Sequence, residues 1–187
     1  MKLSAERIID TALSLLNETG LDGLTTRRLG AALNVRGPAL YYYFRDKEDL
    51  LGQMAVAIVQ KSLAGLSADT DWKDWLSRVA HSIHRTVLGY RDGPQVLSLS
   101  APTDSMRHDV LEAVARPLLQ AGFSPEEANE TIAILSAFVT GWSTFEQNPP
   151  MRALQVSMMD LDHAFAKGVA NLIAGFALEH AALSDAR

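Results

Sequence analysis

An all-α fold, with a small three-helix head followed by a larger helical body, is what this 187-residue sequence predicts. Three observations carry that reading. Apolar residues recur at three- and four-residue spacing along nearly the whole chain, with no sustained alternation of the kind a half-buried strand needs. Capping residues (Ser, Thr, Asp) precede those runs, and Gly, Asn or Pro follow them. The hydrophobic fraction of 48% is ample for a core that these helices would share.

Ser4 caps a first helix whose stripe is Ile8, Ile9, Ala12, Leu15 and Leu16, with Gly20 as its stop. Thr25 or Thr26 caps a second, short helix with Leu29, Ala32 and Leu33 on its inner side. Asn34 suits a left-handed residue at its end, Val35 tucks under the turn, and Pro38 opens a third helix without losing a hydrogen bond. Asp46 caps a fourth helix to about Leu66, with Leu50, Leu51, Met54, Ile58 and Leu63 spaced for one buried side. After a polar loop from Ser67, Asp71 caps a helix from Trp72 to about Tyr90, carrying Trp75, Leu76, Val79, Ile83 and Val87. Arg91-Asp92-Gly93-Pro94 breaks the chain before a short helix to about Leu99. Thr103 caps the next, which runs to Gln120 with Pro117 bending or fraying its last turn. Ser124-Pro125-Glu126-Glu127 is a cap, a first-position proline and a capping-box glutamate; that helix runs to Gln147 and stops at Asn148-Pro149-Pro150. A last helix spans about Met158 to Ala182.

Two short helices joined by a tight turn at residues 25–44 form a helix-turn-helix. Its second helix carries Tyr41, Tyr42 and Tyr43 in a row. Neighbours on a helix point about 100° apart, so three tyrosines cannot all face one core. Leu40 and Phe44 share the buried side, which leaves much of the tyrosine cluster toward solvent among Arg27, Arg28, Arg36, Arg45 and Lys47. That surface suits contact with DNA. The net charge of −5 argues against blanket attraction to nucleic acid, but it is unevenly placed. The first 51 residues balance seven Lys and Arg against seven Asp and Glu, so the body carries the whole deficit.

The segment Leu24-Thr25-Thr26-Arg27-Arg28-Leu29, then Gly37-Pro38-Ala39-Leu40-Tyr41-Tyr42-Tyr43-Phe44-Arg45-Asp46-Lys47, ending on Leu50-Leu51, resembles the DNA-binding domain of the tetracycline-repressor (TetR) family. Tyr90-Arg91-Asp92-Gly93-Pro94-Gln95-Val96, followed by Pro102, is similar to the ligand domain of the tetracycline repressors. The resemblance implies a DNA-binding domain over residues 1–47 and an effector-binding and dimerisation domain over 48–187. It also implies roles for the head. Arg27 reaches a guanine edge; Thr26, Tyr41, Tyr42 and Lys47 hold phosphates; Tyr43 touches a base or the backbone. Gly37 and Ala39, on either side of Pro38, stand where tetracycline repressors have longer polar residues, which leaves Arg36 as a substitute base reader.

By the same resemblance, positions that hold tetracycline and its magnesium are replaced. Leu97 stands for the histidine metal ligand; Leu63, Val79 and Ile83 for a histidine, an asparagine and a phenylalanine; Ser100 for a threonine; Phe145 or Glu146 for an acidic residue. Only about ten residues separate the last two long helices, so an intervening helix of those repressors is expected to be missing. An apolar pocket for a lipophilic or aromatic effector is expected instead, drawn from Leu63, Val79, Ile83, Leu97, Leu99, Met106, Leu135, Phe138 and Trp142. Ser100, His81, His84, His108 or Glu146 would orient that effector. The alternative for each apolar residue is plain core.

The last two long helices are apolar on more than one face, as two-fold pairing into a four-helix interface requires; Ile132, Val139, Leu172 and Phe176 are the candidates, with Gly168 and Gly175 allowing close approach. With no cysteine, disulfides and thiolate chemistry are excluded, and no cofactor or metal is expected: His81 and His84 lack a third ligand. Gly141-Trp142-Ser143-Thr144-Phe145 starts like a nucleophile elbow but lacks its closing glycine. A cytoplasmic homodimeric repressor with no membrane span, released from a palindromic operator by a small molecule, is the expectation. An all-α enzyme or carrier whose head does not bind DNA is the alternative.

Overall fold

The structure, a computed structural model, describes residues 3–100, 104 and 106–185. Among these residues nine α-helices form and no strand does. The head consists of α1 (Ala5–Gly23), α2 (Thr26–Leu33), a 3₁₀ helix (Gly37–Tyr42) and the start of α3 (Lys47–Leu63). The Ser4 hydroxyl accepts from the Arg7 N–H as the cap of α1. Gly20 does interrupt α1, but as a kink (φ 70°, ψ 177°) with one more turn beyond it. Only glycine suits this point, because a Cβ there would lie 2.8 Å from Asp92 Oδ2. Asp46 caps α3 through the Asp49 N–H at 2.8 Å. That helix stops at Leu63, short of the expected Leu66, because Ala64 leaves the helical region and Gly65 has φ +81°.

The body contains α4 (Trp72–Leu88), α5 (Gly93–Leu99), a π-helical turn (Met106–Leu111) leading into α6 (Glu112–Gln120), α7 (Pro125–Gln147), α8 (Pro149–Met158) and α9 (Leu161–Asp185). The Ser124–Glu127 capping box forms at the start of α7, and Asp71 caps α4 through the Lys73 N–H. Pro102 and the Thr103 cap lie outside the described residues. Pro117 sits inside α6, whose end is closed by the Ala121 N–H on the Pro117 and Leu118 carbonyls rather than frayed.

One expectation is corrected: the intervening helix is present. Asn148 ends α7 and, through Oδ1 accepting from the Met151 N–H at 3.3 Å, also caps α8, with Pro149 in its first turn. A proline there is pre-set for a helix, so Asn-Pro-Pro is a stop and a start at once. The last helix accordingly begins at Leu161, after the Met159–Asp160 break.

Two cores organise the molecule. The head core gathers Ile8, Leu16, Leu29, Leu40, Phe44, Leu50, Met54 and Ile58, and takes in Val87, Tyr90 and Val96 from the body. The body core packs Trp75, Leu76, Leu118, Leu135, Phe165 and Val169 from α4, α6, α7 and α9, with Trp75 Nε1 donating to the Val114 carbonyl at 3.0 Å. Helix α3 belongs to both, since its partly buried Leu63 packs against the body core.

Candidate nucleic-acid interface and effector cavity

The turn of the head forms as its residue types require. Thr25, not Thr26, caps α2 through the Arg28 N–H, and Asn34 is left-handed (φ 56°, ψ 43°). The Val35 N–H returns to the Gly30 carbonyl at 2.9 Å, which closes the angle between the two helices. The second helix differs from expectation. It is a six-residue 3₁₀ helix with Pro38 in its first turn, held by the Tyr43 N–H on the Leu40 carbonyl at 2.8 Å. At about 120° per residue, three neighbours face three ways. Tyr42 points outward and is 87% exposed, Tyr41 is 53% exposed, and Leu40 with Phe44 anchors the segment in the core.

Tyr43 turns the third way. It is half-buried, its ring meets Tyr42 edge-on, and its hydroxyl donates to the Leu3 carbonyl at 2.9 Å. The hydroxyl is therefore engaged inside the head rather than offered to a base. Arg27, Arg36, Pro38, Ala39 and Lys47 are exposed, and Thr26 and Gly37 are partly so. Arg45 is held by Asp49 at 3.5 Å; its backbone N–H is the main cause that keeps the Asp49 carboxyl below the usual carboxylate range.

In the body, an apolar cavity of about 180 Å³ lies between α3, α4, α5, α6 and α7. Of the residues expected there, Val79, Ile83, Leu97, Met106 and Leu135 line it. Its walls also include Val59, Val110 and Val114, which sequence reasoning missed because an apolar residue at helical spacing reads the same in a wall as in a filled core. Ser136 and Thr140 supply hydroxyls at the rim.

The other expected residues lie elsewhere. Leu63 packs beside the cavity, and the Ser100 hydroxyl donates to the Leu97 carbonyl at 3.0 Å. Phe138 stacks on Phe165 and lies directly over Gly168, where a Cβ would collide with its ring, while Trp142 tilts against both phenylalanines. Glu146 pairs with His84 Nε2 at 2.9 Å, and the His84 ring stacks on Phe165 with centroids 4.0 Å apart. Ser143 is fully buried and its hydroxyl donates to the Val139 carbonyl, which fits a core serine and not a nucleophile.

Of the expected dimer residues, Ile132, Val139 and Phe176 are buried inside the subunit, and Leu172 is partly buried against the same core. The large apolar residues left outside on these helices are Ile134 and Phe145 on α7 and Leu178 and Leu183 on α9, with Leu178 75% exposed, beside Ala137 and Ala174. Gly168 has a close neighbour, whereas Gly175 faces open space. Both helices carry two apolar stripes, and sequence spacing does not say which stripe is inner.

A polar clasp ties head to body. Asp92, left-handed at φ 55°, accepts from the Leu21 N–H at 2.8 Å, and the Arg91 N–H reaches Asn17 Oδ1 at 2.9 Å. From the end of α7, Gln147 Nε2 donates to the Tyr90 carbonyl at 2.6 Å, and Lys61 on α3 donates to the Tyr90 hydroxyl at 2.9 Å. The segment between α4 and α5 thus links the end of α7 to the end of α1.

A helix-turn-helix head clasped to a helical body that encloses an apolar cavity defines a ligand-binding transcriptional regulator. Residues 8–54 match the family model described as bacterial regulatory proteins, tetR family, and residues 64–158 the one described as tetracyclin repressor-like, C-terminal domain. The class D tetracycline repressor protein of Escherichia coli is 34% identical, over 97% of this chain and 93% of its own length. A variant of TetR from Acinetobacter baumannii AYE, solved in complex with minocycline, superposes with a TM-score of 0.79 at 34% identity, covering 94% of this chain and 97% of that one. Class A TetR in complex with 5a,6-anhydrotetracycline and magnesium gives 0.75 at 34% identity, covering 94% and 98%. The chain belongs to the tetR family of bacterial regulatory proteins. The relatives named here are repressors, which leaves the enzyme or carrier alternative without support.

Proposed function

We propose that this chain is a cytoplasmic repressor that binds a palindromic operator as a homodimer and lets go when a compact lipophilic molecule fills the body cavity. The observation that carries the reading is the position of α3. Its Leu50, Leu51, Met54, Ala55 and Ile58 are head core, and the next residue, Val59, is a cavity wall. A ligand that presses on Val59 acts on the helix that carries the head. Release requires that it prefer the spread-head state by a few kcal/mol, roughly 5.5 for a complete switch.

On the DNA side, Arg27 reads a guanine, while Thr26, Tyr41, Tyr42 and Lys47 hold phosphates. Gly37, Pro38 and Ala39 let the start of the 3₁₀ helix approach the groove closely. Tyr43 positions this surface through Leu3 instead of touching DNA. Pairing uses the outer stripes of α7 and α9, centred on Ile134, Phe145 and Leu178.

A magnesium–tetracycline chelate does not fit this cavity. Leu97 on its wall offers no donor atom, and the hydroxyls present are those of Ser136 and Thr140. The volume of about 180 Å³ is also below the roughly 300 Å³ at which drug-sized pockets begin. A small apolar effector with one hydrogen-bonding group matches both facts.

The test is retention of genomic DNA fragments by the purified chain at physiological salt, followed by release with a panel of lipophilic compounds. Fragments held over random competitor and released by a small apolar compound support the reading. No fragment held over competitor overturns it.

A further inference from the structure

Several basic side chains of the head have a partner within it. Arg28 Nη1 donates to the Gly23 carbonyl at 3.2 Å, Arg45 is paired with Asp49, and Lys47 Nζ reaches the Leu21 carbonyl at 3.4 Å. Among the described residues, the side chains of Arg27 and Arg36 make no hydrogen bond or ion pair. Both are exposed. They are the uncommitted guanidinium forks of the helix-turn-helix.

Arg36 occupies a particular place. It is the residue before the 3₁₀ helix, with an extended backbone (φ −76°, ψ 143°) and no side-chain capping bond. The N-terminal end of a recognition helix is the end that meets base edges. Beyond Arg36 that end is bare: Gly37 has no atom within 4 Å of where a Cβ would stand, and Pro38 and Ala39 carry no donor. The next hydrogen-bonding side chain is Tyr41. Any donor-based reading at this end therefore falls to Arg36, whose fork matches the O6 and N7 acceptors of guanine.

Resting on the DNA-binding reading above, we propose that Arg36 is a second base-reading residue of this head. Each half-site then carries two G·C pairs, one read by Arg27 and one by Arg36. Next to Arg36, Pro38 and Ala39 offer apolar surfaces that suit thymine methyl groups.

The experiment is selection of duplexes from a random pool by the full-length chain, repeated with Arg36→Ala and Arg36→Lys. Affinities for the selected duplex and its single-position variants are then measured across a salt series. The expected wild-type half-site has two G·C positions. Arg36→Ala should lose preference at one of them alone, with roughly ten- to hundredfold weaker binding to the selected duplex. Arg36→Lys should keep the salt slope and lose the same preference, because it keeps the charge without the fork. If Arg36→Ala weakens all sequences equally and lowers the salt slope by about one, Arg36 is a phosphate contact and the proposal is wrong. No change in the selected sequence also overturns it. A wild-type chain that selects no sequence overturns the DNA-binding reading itself, a result distinct from either.

Discussion

The head and the body use their apolar residues differently. In the head, apolar side chains from Ile8 to Ile58 close into one filled core, and Arg27, Arg36, Tyr41 and Tyr42 stay on the surface. In the body, the core leaves a cavity of about 180 Å³, α8 buries none of its residues, and Ile134, Phe145 and Leu178 face outward. A filled core makes a rigid reader, because packed interiors do not deform gradually. A core with a hole, flanked by bare apolar faces, is built to take in something else: a ligand inside and a second subunit outside. Helix α3 is where the two designs meet.

The sharpest way to break this contrast is to open a hole in the head. Leu40 is fully buried and pins the 3₁₀ helix, so Leu40→Ala should cost about 2–5 kcal/mol in urea denaturation and abolish specific DNA binding. A cost below about 1 kcal/mol would mean the head is not filled. Added bulk should divide the two regions. Ala55→Leu, at a fully buried head position, should cost about 1–3 kcal/mol, whereas Val79→Leu on the cavity wall should cost less than about 1 kcal/mol because there is space to take it. Equal costs would show that the cavity does not exist in solution.

The clasp comes next in size. Asp92→Ala removes the acceptor for the Leu21 N–H and should lose about 1.5–3 kcal/mol by the same denaturation. Asp46→Ala, which uncaps α3, should lose about 1 kcal/mol.

The smallest effect is at acid pH. The Asp49 carboxyl sits below its ordinary range chiefly through the Arg45 N–H, with the Gln53 amide and the Arg45 charge adding and burial opposing. A lowered folded value means this contribution is full above the unfolded carboxylate pKa and fades as pH falls through the folded one. Asp49→Asn should therefore flatten the loss of stability between about pH 5 and about pH 2, a comparison of two denaturation series.

How much of this could be read from the chain depends on whether a feature has its own residue signature. Caps do, so Ser4, Asn34, Asp46, Asp71 and the Ser124–Glu127 box appear where the sequence puts them. Helix α8 did not, because Asn148-Pro149-Pro150 signals an end as well as a beginning and the short Met151, Leu154, Met158 pattern spans only ten residues. The 3₁₀ form of the tyrosine helix was hidden, since six residues carry too little pattern to separate two helical pitches. Its inward Tyr43 depended on that pitch and on Leu3, forty residues away. In the body, Val59 and Val114 as cavity walls, and Ile134 rather than Ile132 as an outer residue, are decided by how helices rotate against one another. Spacing along one helix does not contain that information.

The central claim is that the rigid head reads a particular DNA sequence. Fluorescence anisotropy at physiological salt tests it directly, by comparing the affinity of the full-length chain for a selected palindromic duplex with that for random duplex of equal length. Binding to the selected duplex should be at least about a thousandfold tighter, falling toward the random value in Leu40→Ala. Equal affinities of the wild-type chain for both duplexes would contradict it.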